Sequence, residues 1–410
     1  MRKKTYKAKC PHCDPINKHP AHIQERLSNF FFDFKKLLIS IENKFKNKFP
    51  KFFNHLNKIV FYGSIKTLIT IGILREVEIP KKNDFISNRT FVFLAAAKQR
   101  GIEVKTFQTF SGRKTNFFSI IINEKKKIFE ILPHNNIDYV EMVEFDNKDK
   151  FKEILQTNRF PHPDGKSFSN IDQGINFAKQ RNFPFVVKPS SSSLSKHITC
   201  NIHDIFSLKE AIRIAQIINR DFILEEHVDG LVYRITLVRH KFIACCLREA
   251  PNIVGDNIHT IKELIEQKNN HEWRGEPEKK NYTLRKIKLT DKTTSILNSK
   301  GFSLESVPEK NQKIYLHDKV ILACGADIHD RTDEIHPDNI KMFEKISELC
   351  RSPIIGIDFI CKDISKSYKE QKSAVIEANS LPYIDMHHYP VSGKPRDVGG
   401  AIADYLLSLK

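Results

Sequence analysis

From Phe91 onward the apolar positions switch repeatedly between a helical and an alternating period. In "TFVFLAAAKQRGIEVKTF" the spacing predicts a helix ended by Gly101 and then a strand, and "FFSIIINEKKKIFEIL" predicts a β-hairpin. "NKDKFKEILQTNRFPHPDG" predicts a helix and a turn, with a proline-rich lead into a further helix at "NIDQGINFAKQRNF". "PFVVKP", "FILEEHVDG", "VYRITLVRHKFIACCLRE", "IIGIDFICKD" and "SAVIEANS" all predict strands. Helices between them give an α+β body from residue 149 to the end, without an internal repeat. The only low-complexity run is the serine stretch at 190–195.

Upstream, "HIQERLSNFFFDFKKLLISIENKFKNKFPKFFNHLNKIVFYG" places Phe, Leu and Ile at intervals of three and four among lysines. This predicts amphipathic helices over residues 1 to about 75, with Pro50 separating two of them. A helical bundle or docking segment accounts for the Phe stripe; a membrane-lying helix with a basic face is the alternative. In "CPHCDPINKHPAH", Cys10, Cys13, His19 and His22 offer the four ligands of a Zn²⁺ knuckle, set against a plain polar tail.

Composition narrows the class. At 410 residues the chain has room for two or three domains. Its 40% hydrophobic and 28% charged residues fit a globular fold. No run approaches the ~18 apolar residues of a membrane span, and the basic start lacks a secretory apolar core, so a cytoplasmic protein is expected. The eight scattered cysteines, Cys245 and Cys246 adjacent, read as reduced thiols. A net charge of +18 draws polyanions, yet the lysines are spread along the whole chain. An anionic small molecule such as a nucleoside triphosphate is therefore expected rather than a nucleic acid, and no membrane partner.

Three stretches carry chemistry. "FVVKP" ends in Lys188 and opens into "SSSSLSK", whose small residues let backbone N–H groups and Lys196 approach a phosphate; a solvated linker is the plainer reading. "FILEEHVDG" sets Glu225 and Glu226 at a strand end, where a hinge can offer backbone groups to an adenine. In "VIEANS", Glu377 and Asn379 share a strand face while Ala378 points away, and a hairpin with "GIDFI" brings Asp358 to them. Three oxygen donors in apolar strands are costly to bury without a cation, and hard oxygens suit Mg²⁺ on nucleotide phosphates. Surface acids on an amphipathic hairpin are the alternative.

Taken in order, these stretches resemble the ATP-grasp superfamily, specifically the central ligase domain of cyanophycin synthetase. The resemblance is carried by "DKFKEIL", "FVVKP", "ILEEHVDGLVYRITLV", "REAPNIVGDNIHTIKELIE", "LRKIKL", "TDEIHPDN", "GIDFICKDIS", "VIEANS" and "SGKPRDVGGAI". It implies two α+β lobes holding ATP between them, about 149–226 and 227–410, behind a helical region 1–90 and a short α/β segment 91–148. It also implies ligation of a carboxylate to an amine through an acyl-phosphate. By position, Lys150, Lys188 and Lys196 would meet ATP, and Glu225, Glu226 and Val228 would line the adenine pocket. Asp358, Glu377 and Asn379 would hold two Mg²⁺ ions, with Mn²⁺ able to replace them. Arg234, Arg274, Lys286 and Lys288 would stabilise transferred charge.

Departures accompany the likeness. Ser192, Ser195 and His197 stand where the relatives' phosphate loop has glycine, and Val232 where they place a ribose-binding acid. Tyr383 and Asp385 replace a glycine and an arginine in "SLPYIDMHHYP". Asp385, with His387 beside it, is expected to meet substrate and to favour an ammonium or guanidinium over a carboxylate. The chain ends without the Mur-ligase-like domain of cyanophycin synthetase, so addition of one kind of residue is expected. Substrates are expected to be amino-acid-derived small molecules or peptides, and a homo-oligomer is compatible with the sequence. The alternative is a degenerate ATP-grasp protein that binds nucleotide or a partner without ligation.

Overall fold

The computed structural model describes residues 67–79, 86–112, 114–133, 145–190, 197–276, 279 and 281–409. The expected helices up to residue 66, the Cys10, Cys13, His19 and His22 knuckle, and the serine loop with Lys196 lie outside the described residues. The architecture is α+β, built on antiparallel sheets. No described helix is long and apolar enough to cross a membrane.

The first unit is a four-stranded antiparallel meander, β1 (Leu74–Val77), β2 (Glu103–Thr109), β3 (Lys114–Ile122) and β4 (Lys125–Glu130), with one helix, α1 (Asn88–Gln99). Gly101 ends α1 as expected: at φ 77° it turns the chain so that the Ile102 N–H reaches back to the Ala97 carbonyl. Asn123 and Glu124, both at positive φ, make the two-residue turn of the β3–β4 hairpin.

Helix α2 (Lys148–Thr157) follows, with the Asn147 side chain capping the Asp149 and Lys150 N–H groups. A second sheet is formed by β5 (Gly165–Phe168), β6 (Phe185–Pro189), β7 (Thr199–Ile202) and β8 (Phe222–Glu226), in the order β5-β8-β6-β7. Helices α3 (Ile171–Lys179) and α4 (Ile205–Gln216) cover it, and Phe177, Phe185, Leu208, Ile212 and Phe222 pack between.

The remaining chain forms the largest sheet and a subdomain inserted into it. Strands β9 (Leu231–Val238) and β10 (Lys241–Glu249) are joined by Arg239 and His240, both at positive φ. The insertion holds β11 (Asn252–Val254), α5 (Ile261–Asn269), β12 (Arg274–Gly275), β13 (Leu284–Arg285), α6 (Asp291–Ser299) and β14 (Lys313–Tyr315). Thr260 and Glu263 close a capping box at the start of α5, and Ile253, Ile261, Leu297 and Ile314 give the insertion its own core.

The chain then returns as β15 (Asp327–Asp330), α7 (Pro337–Leu349), β16 (Ile354–Cys361) and β17 (Ser373–Asn379), completing the antiparallel order β15-β10-β9-β16-β17. Helices α8 (Asp385–His388) and α9 (Val398–Leu407) end the fold.

Strand alternation gives this sheet two different faces. Tyr233, Ile235, Leu247, Ile357, Phe359 and Ala378 point to one side, against α7 and α2. On the other side Val238, Ala244 and Ile354 pack against α1, α9 and the meander at one end. The opposite end of that second face carries Arg234, Arg248, Asp358 and Glu377.

Candidate functional site

The centre of the site follows from strand register. Asp358 pairs directly with Glu377 on β17 and with Arg234 on β9, while Asn379 pairs with Gly356. The three oxygen donors therefore share one face. Glu377 and Asn379 are half-buried, whereas Asp358 is only 5% exposed.

Asp358 is also the hub of a charge cluster. Its Oδ1 lies 2.5 Å from Arg234 Nε, and its Oδ2 lies 2.7 Å from Arg248 Nη2. Burial pushes the Asp358 carboxyl up, but the two guanidiniums outweigh that and hold it below the usual carboxylate range. Arg234 Nη1 and Arg248 Nε stay buried without a hydrogen-bond partner among the described residues. A Cβ at Gly356 would sit 3.0 Å from Arg234 Nη1, so glycine leaves room for the guanidinium.

A second group of charges lies where α2 meets β6 and β8. Lys188 Nζ is 2.5 Å from Glu225 Oε1, both side chains being 8% exposed. The cavity there is lined by Lys148, Lys152, His162, Lys188, Glu225 and Ile376 among others. Burial lowers the pKa of Lys148 and of Lys152, with the charge of Lys188 adding to the effect. Lys152 Nζ is buried without a partner among the described residues. Glu377 is among the charges acting on Lys148, which ties this cluster to the strand that carries Glu377 and Asn379.

The remaining expected residues are distributed as follows. Lys150 is exposed and does not line the cavity. Glu226 accepts from Lys372 at 3.1 Å and from the Asp164 N–H, and Val228 is buried just beyond β8. Arg274 is buried at the base of the insertion, its guanidinium donating to Asp327 and to the Arg285 and Gly325 carbonyls, with no bond to Asp358. Lys286 pairs with Glu276 at 2.9 Å, and Lys288 is half-buried in the same segment. His387 is buried, Nε2 on Thr236 at 2.8 Å and Nδ1 without a partner among the described residues, and burial with the charge of Arg234 lowers its pKa to about 3. Asp385 is 3% exposed and accepts a hydrogen bond from Thr283.

Arg248, Lys148 and Lys152 are functional candidates that motif matching passed over. Lys148, Phe151, Lys152 and Leu155 fall on one helical face, and these spacings already place the two lysines beside the buried apolar stripe. Lys150 falls on the opposite side.

The donor set fits a hard divalent cation. Each Asp358 oxygen uses one lone-pair position on an arginine and retains another, and Glu377 and Asn379 add two further oxygens on the same face. Glu249, Asp327 and His329 also bring ligand atoms within 4.8 Å of one another. There Lys268 lies 2.5 Å from Asp327 and Lys313 lies 2.9 Å from Glu249, as Arg234 and Arg248 lie against Asp358.

No family model matches the chain. Over 225 residues, 55% of the chain, it is 33% identical to a cyanophycin synthetase of Trichormus variabilis, covering 25% of that protein. Over 368 residues, 89% of the chain, it is 29% identical to the glutathione biosynthesis bifunctional protein of Clostridium perfringens, covering 43% of that protein. The chain thus spans less than half the length of these curated relatives. A bifunctional glutathione synthetase from Pasteurella multocida has the same fold over 78% of this chain and 43% of that one, with a TM-score of 0.61 at 24% identity.

Proposed function

Since this chain is an ATP-grasp superfamily protein resembling cyanophycin synthetase, we propose that it joins a carboxylate to an amine with ATP, forming an amide bond. The observation that carries this reading is the in-register meeting of Asp358 and Glu377 opposite Arg234, with Glu377 also acting on Lys148 beside Lys188.

The nucleotide lies in the cleft between β6 and β8 on one side and β17 on the other. Glu225, Glu226 and Val228 at the end of β8 line the adenine end, and Lys148, Lys152 and Lys188 receive the phosphates as compact point charges. Lys286 and Lys288 of the insertion would add further positive charge for the phosphates, a role assigned to Lys196 from its place in the sequence alone. Glu377, Asn379 and Asp358 would hold magnesium, which would supply neutralisation of phosphate charge and polarisation of the transferring group.

The substrate carboxylate oxygen attacks the γ-phosphorus and the bond to the β-phosphate oxygen breaks, giving an acyl phosphate and ADP. The unpartnered N–H groups of Arg234 and Arg248 point to their use here: fixed donors beside Asp358 meet the anion as charge develops on it. The amine nitrogen then attacks the acyl carbon, inorganic phosphate leaves, and the nitrogen loses its proton. His387, held neutral and hydrogen-bonded to Thr236, adds no competing charge beside Arg234.

Phosphate release from ATP is measured against a panel of amino acids, dipeptides and polyamines, with product masses read for every positive pair. Glu377→Ala is expected to lower turnover by about 10²–10³, the scale for removing a main electrostatic contact of the transition state. Equal turnover by Glu377→Ala sinks the proposal.

A further inference from the structure

Four consecutive residues lead the chain into α2, and each has a different partner. Phe145 is buried in the core beneath the first face of the large sheet. Asp146 accepts twice from Ser380, through Oδ1 from the backbone N–H at 2.9 Å and through Oδ2 from the hydroxyl at 2.6 Å. Asn147 caps the helix, and Lys148 lines the cavity beside Lys188 and Glu225. The other end of this contact is as closely ordered. Glu377 pairs with Asp358, Ala378 is buried in the same core as Phe145, Asn379 is the last residue of β17, and Ser380 follows it.

Asp146 and Ser380 are 234 residues apart, so only the fold brings the start of α2 to the end of β17. Further along, Phe151 and Leu155 of α2 share the apolar core with Val375 and Ala378 of β17. Apolar contact is non-directional and tolerates small shifts of the helix along the strand. Two bonds from one residue to both oxygens of a single carboxylate fix distance and angle together.

The exposure of the two partners separates what this contact does for position from what it does for stability. Ser380 is only 7% exposed, whereas Asp146 is exposed. With the carboxylate removed, water can reach the Ser380 donors and satisfy them. Water cannot hold α2 at a set distance from β17. Lys148 stands two residues after Asp146 and Asn379 one before Ser380, so the spacing at stake is that between a phosphate-binding ammonium and a metal-binding amide. Glu377 acts on Asp146 electrostatically, which sets the contact beside that strand.

Resting on the ligase reading above, we infer that Asp146 is a positioning residue: by gripping Ser380 it fixes Lys148, which meets the nucleotide phosphates, relative to Asn379, which would share in holding magnesium. It acts by geometry, so an amide can take its place. The carbonyl oxygen of an asparagine accepts from the Ser380 N–H, and its NH₂ donates to the Ser380 hydroxyl, which accepts as readily as it donates.

The full chain is compared with Asp146→Ala and Asp146→Asn. Equilibrium binding of a non-hydrolysable ATP analogue is measured with and without Mg²⁺, beside kcat and the midpoint of denaturant unfolding. Alanine is expected to keep the unfolding midpoint and, within about twofold, the affinity for the analogue alone, while cutting the tightening by Mg²⁺ about tenfold and kcat about ten- to hundredfold. Asparagine is expected to restore both to within about threefold of the parent. Parental tightening in Asp146→Ala overturns the inference, as does equal loss in both variants, which would make the charge of Asp146 the cause. A fall in the midpoint with all binding weakened alike marks a merely structural residue and overturns it too. In these three cases the ligase reading stands. An unaltered chain that binds no nucleotide, or binds it no tighter with Mg²⁺, strikes the ligase reading itself, and this inference falls with it.

Discussion

The cleft is charged on both sides, and the two sides are built from different cations. On the β6–β8 side the charges are ammoniums, Lys148, Lys152 and Lys188, set against Glu225. On the β9–β16 side they are guanidiniums, Arg234 and Arg248, set against Asp358. A buried lysine relieves desolvation by giving up its proton, and burial here does lower Lys148 and Lys152. An arginine cannot, so its charge must be met by a carboxylate. The lysine side can therefore adapt its charge to an arriving triphosphate. The arginine side is fixed in advance around Asp358, with two N–H directions left over for an anion.

Removing the carboxylate on each side should expose this difference most strongly. Asp358→Ala leaves two buried guanidiniums unmet and is expected to cost about 3–5 kcal/mol in denaturant unfolding. Glu225→Ala should cost less, because the flexible Lys188 side chain can turn toward the cleft it lines. Equal losses for the two variants would erase the proposed contrast. A smaller structural change separates chemistry from folding: Arg248→Lys retains the charge but not the planar fork, and Nε has no equivalent in lysine. It is expected to lower kcat by about 10² while KM for ATP moves little. Steady-state kinetics on both substrates checks the split; a change confined to KM for ATP would place Arg248 on the nucleotide instead.

The double variant Lys188→Met with Glu225→Leu sharpens the comparison from the other side. Exchanging a buried ion pair for apolar residues of similar size is often neutral for stability, whereas the same exchange should abolish nucleotide binding. Unfolding measured beside equilibrium binding of a non-hydrolysable nucleotide tests both halves. Nucleotide binding retained at parental affinity would remove Lys188 from the site.

The antiparallel strands were legible because each carries its own punctuation. Arg239-His240 and Asn123-Glu124 fall between apolar runs, and the period-two pattern of "VIEANS" alone puts Glu377 and Asn379 on one face. The Asp358–Glu377 pairing also depends on a bulge after Asp358, which shifts the register there and is not visible in the pattern. Lys150 sits in the matched motif, but Phe151 and Leu155 turn that side of α2 outward and bring Lys148 and Lys152 in. Arg248 was hidden for a different reason. Its partner lies 110 residues away, across β9, and only the sheet order brings them together. Arg274 reads as a free cation in sequence, yet Asp327 and two backbone carbonyls take up its guanidinium.

The smallest effect expected is one of proton balance, and it belongs to the lysine side alone. Burial sets Lys148 and Lys152 below the ordinary lysine value, so between the lowered values and the ordinary one the folded protein binds fewer protons than the unfolded chain. Without nucleotide, stability should therefore rise with pH across that window. Phosphate oxygens favour the charged form and draw both groups back up, so nucleotide binding should take up protons in the same window and none well below it. Calorimetric titration of a non-hydrolysable nucleotide in two buffers of different ionisation enthalpy measures the uptake, expected at less than one proton per lysine. Lys152→Met should reduce it, and Arg248→Gln should leave it unchanged, because the guanidinium has no proton to give and the amide that replaces it adds none. Uptake that is indifferent to Lys152 but altered at Arg248 would mean the two sides had been assigned the wrong way round.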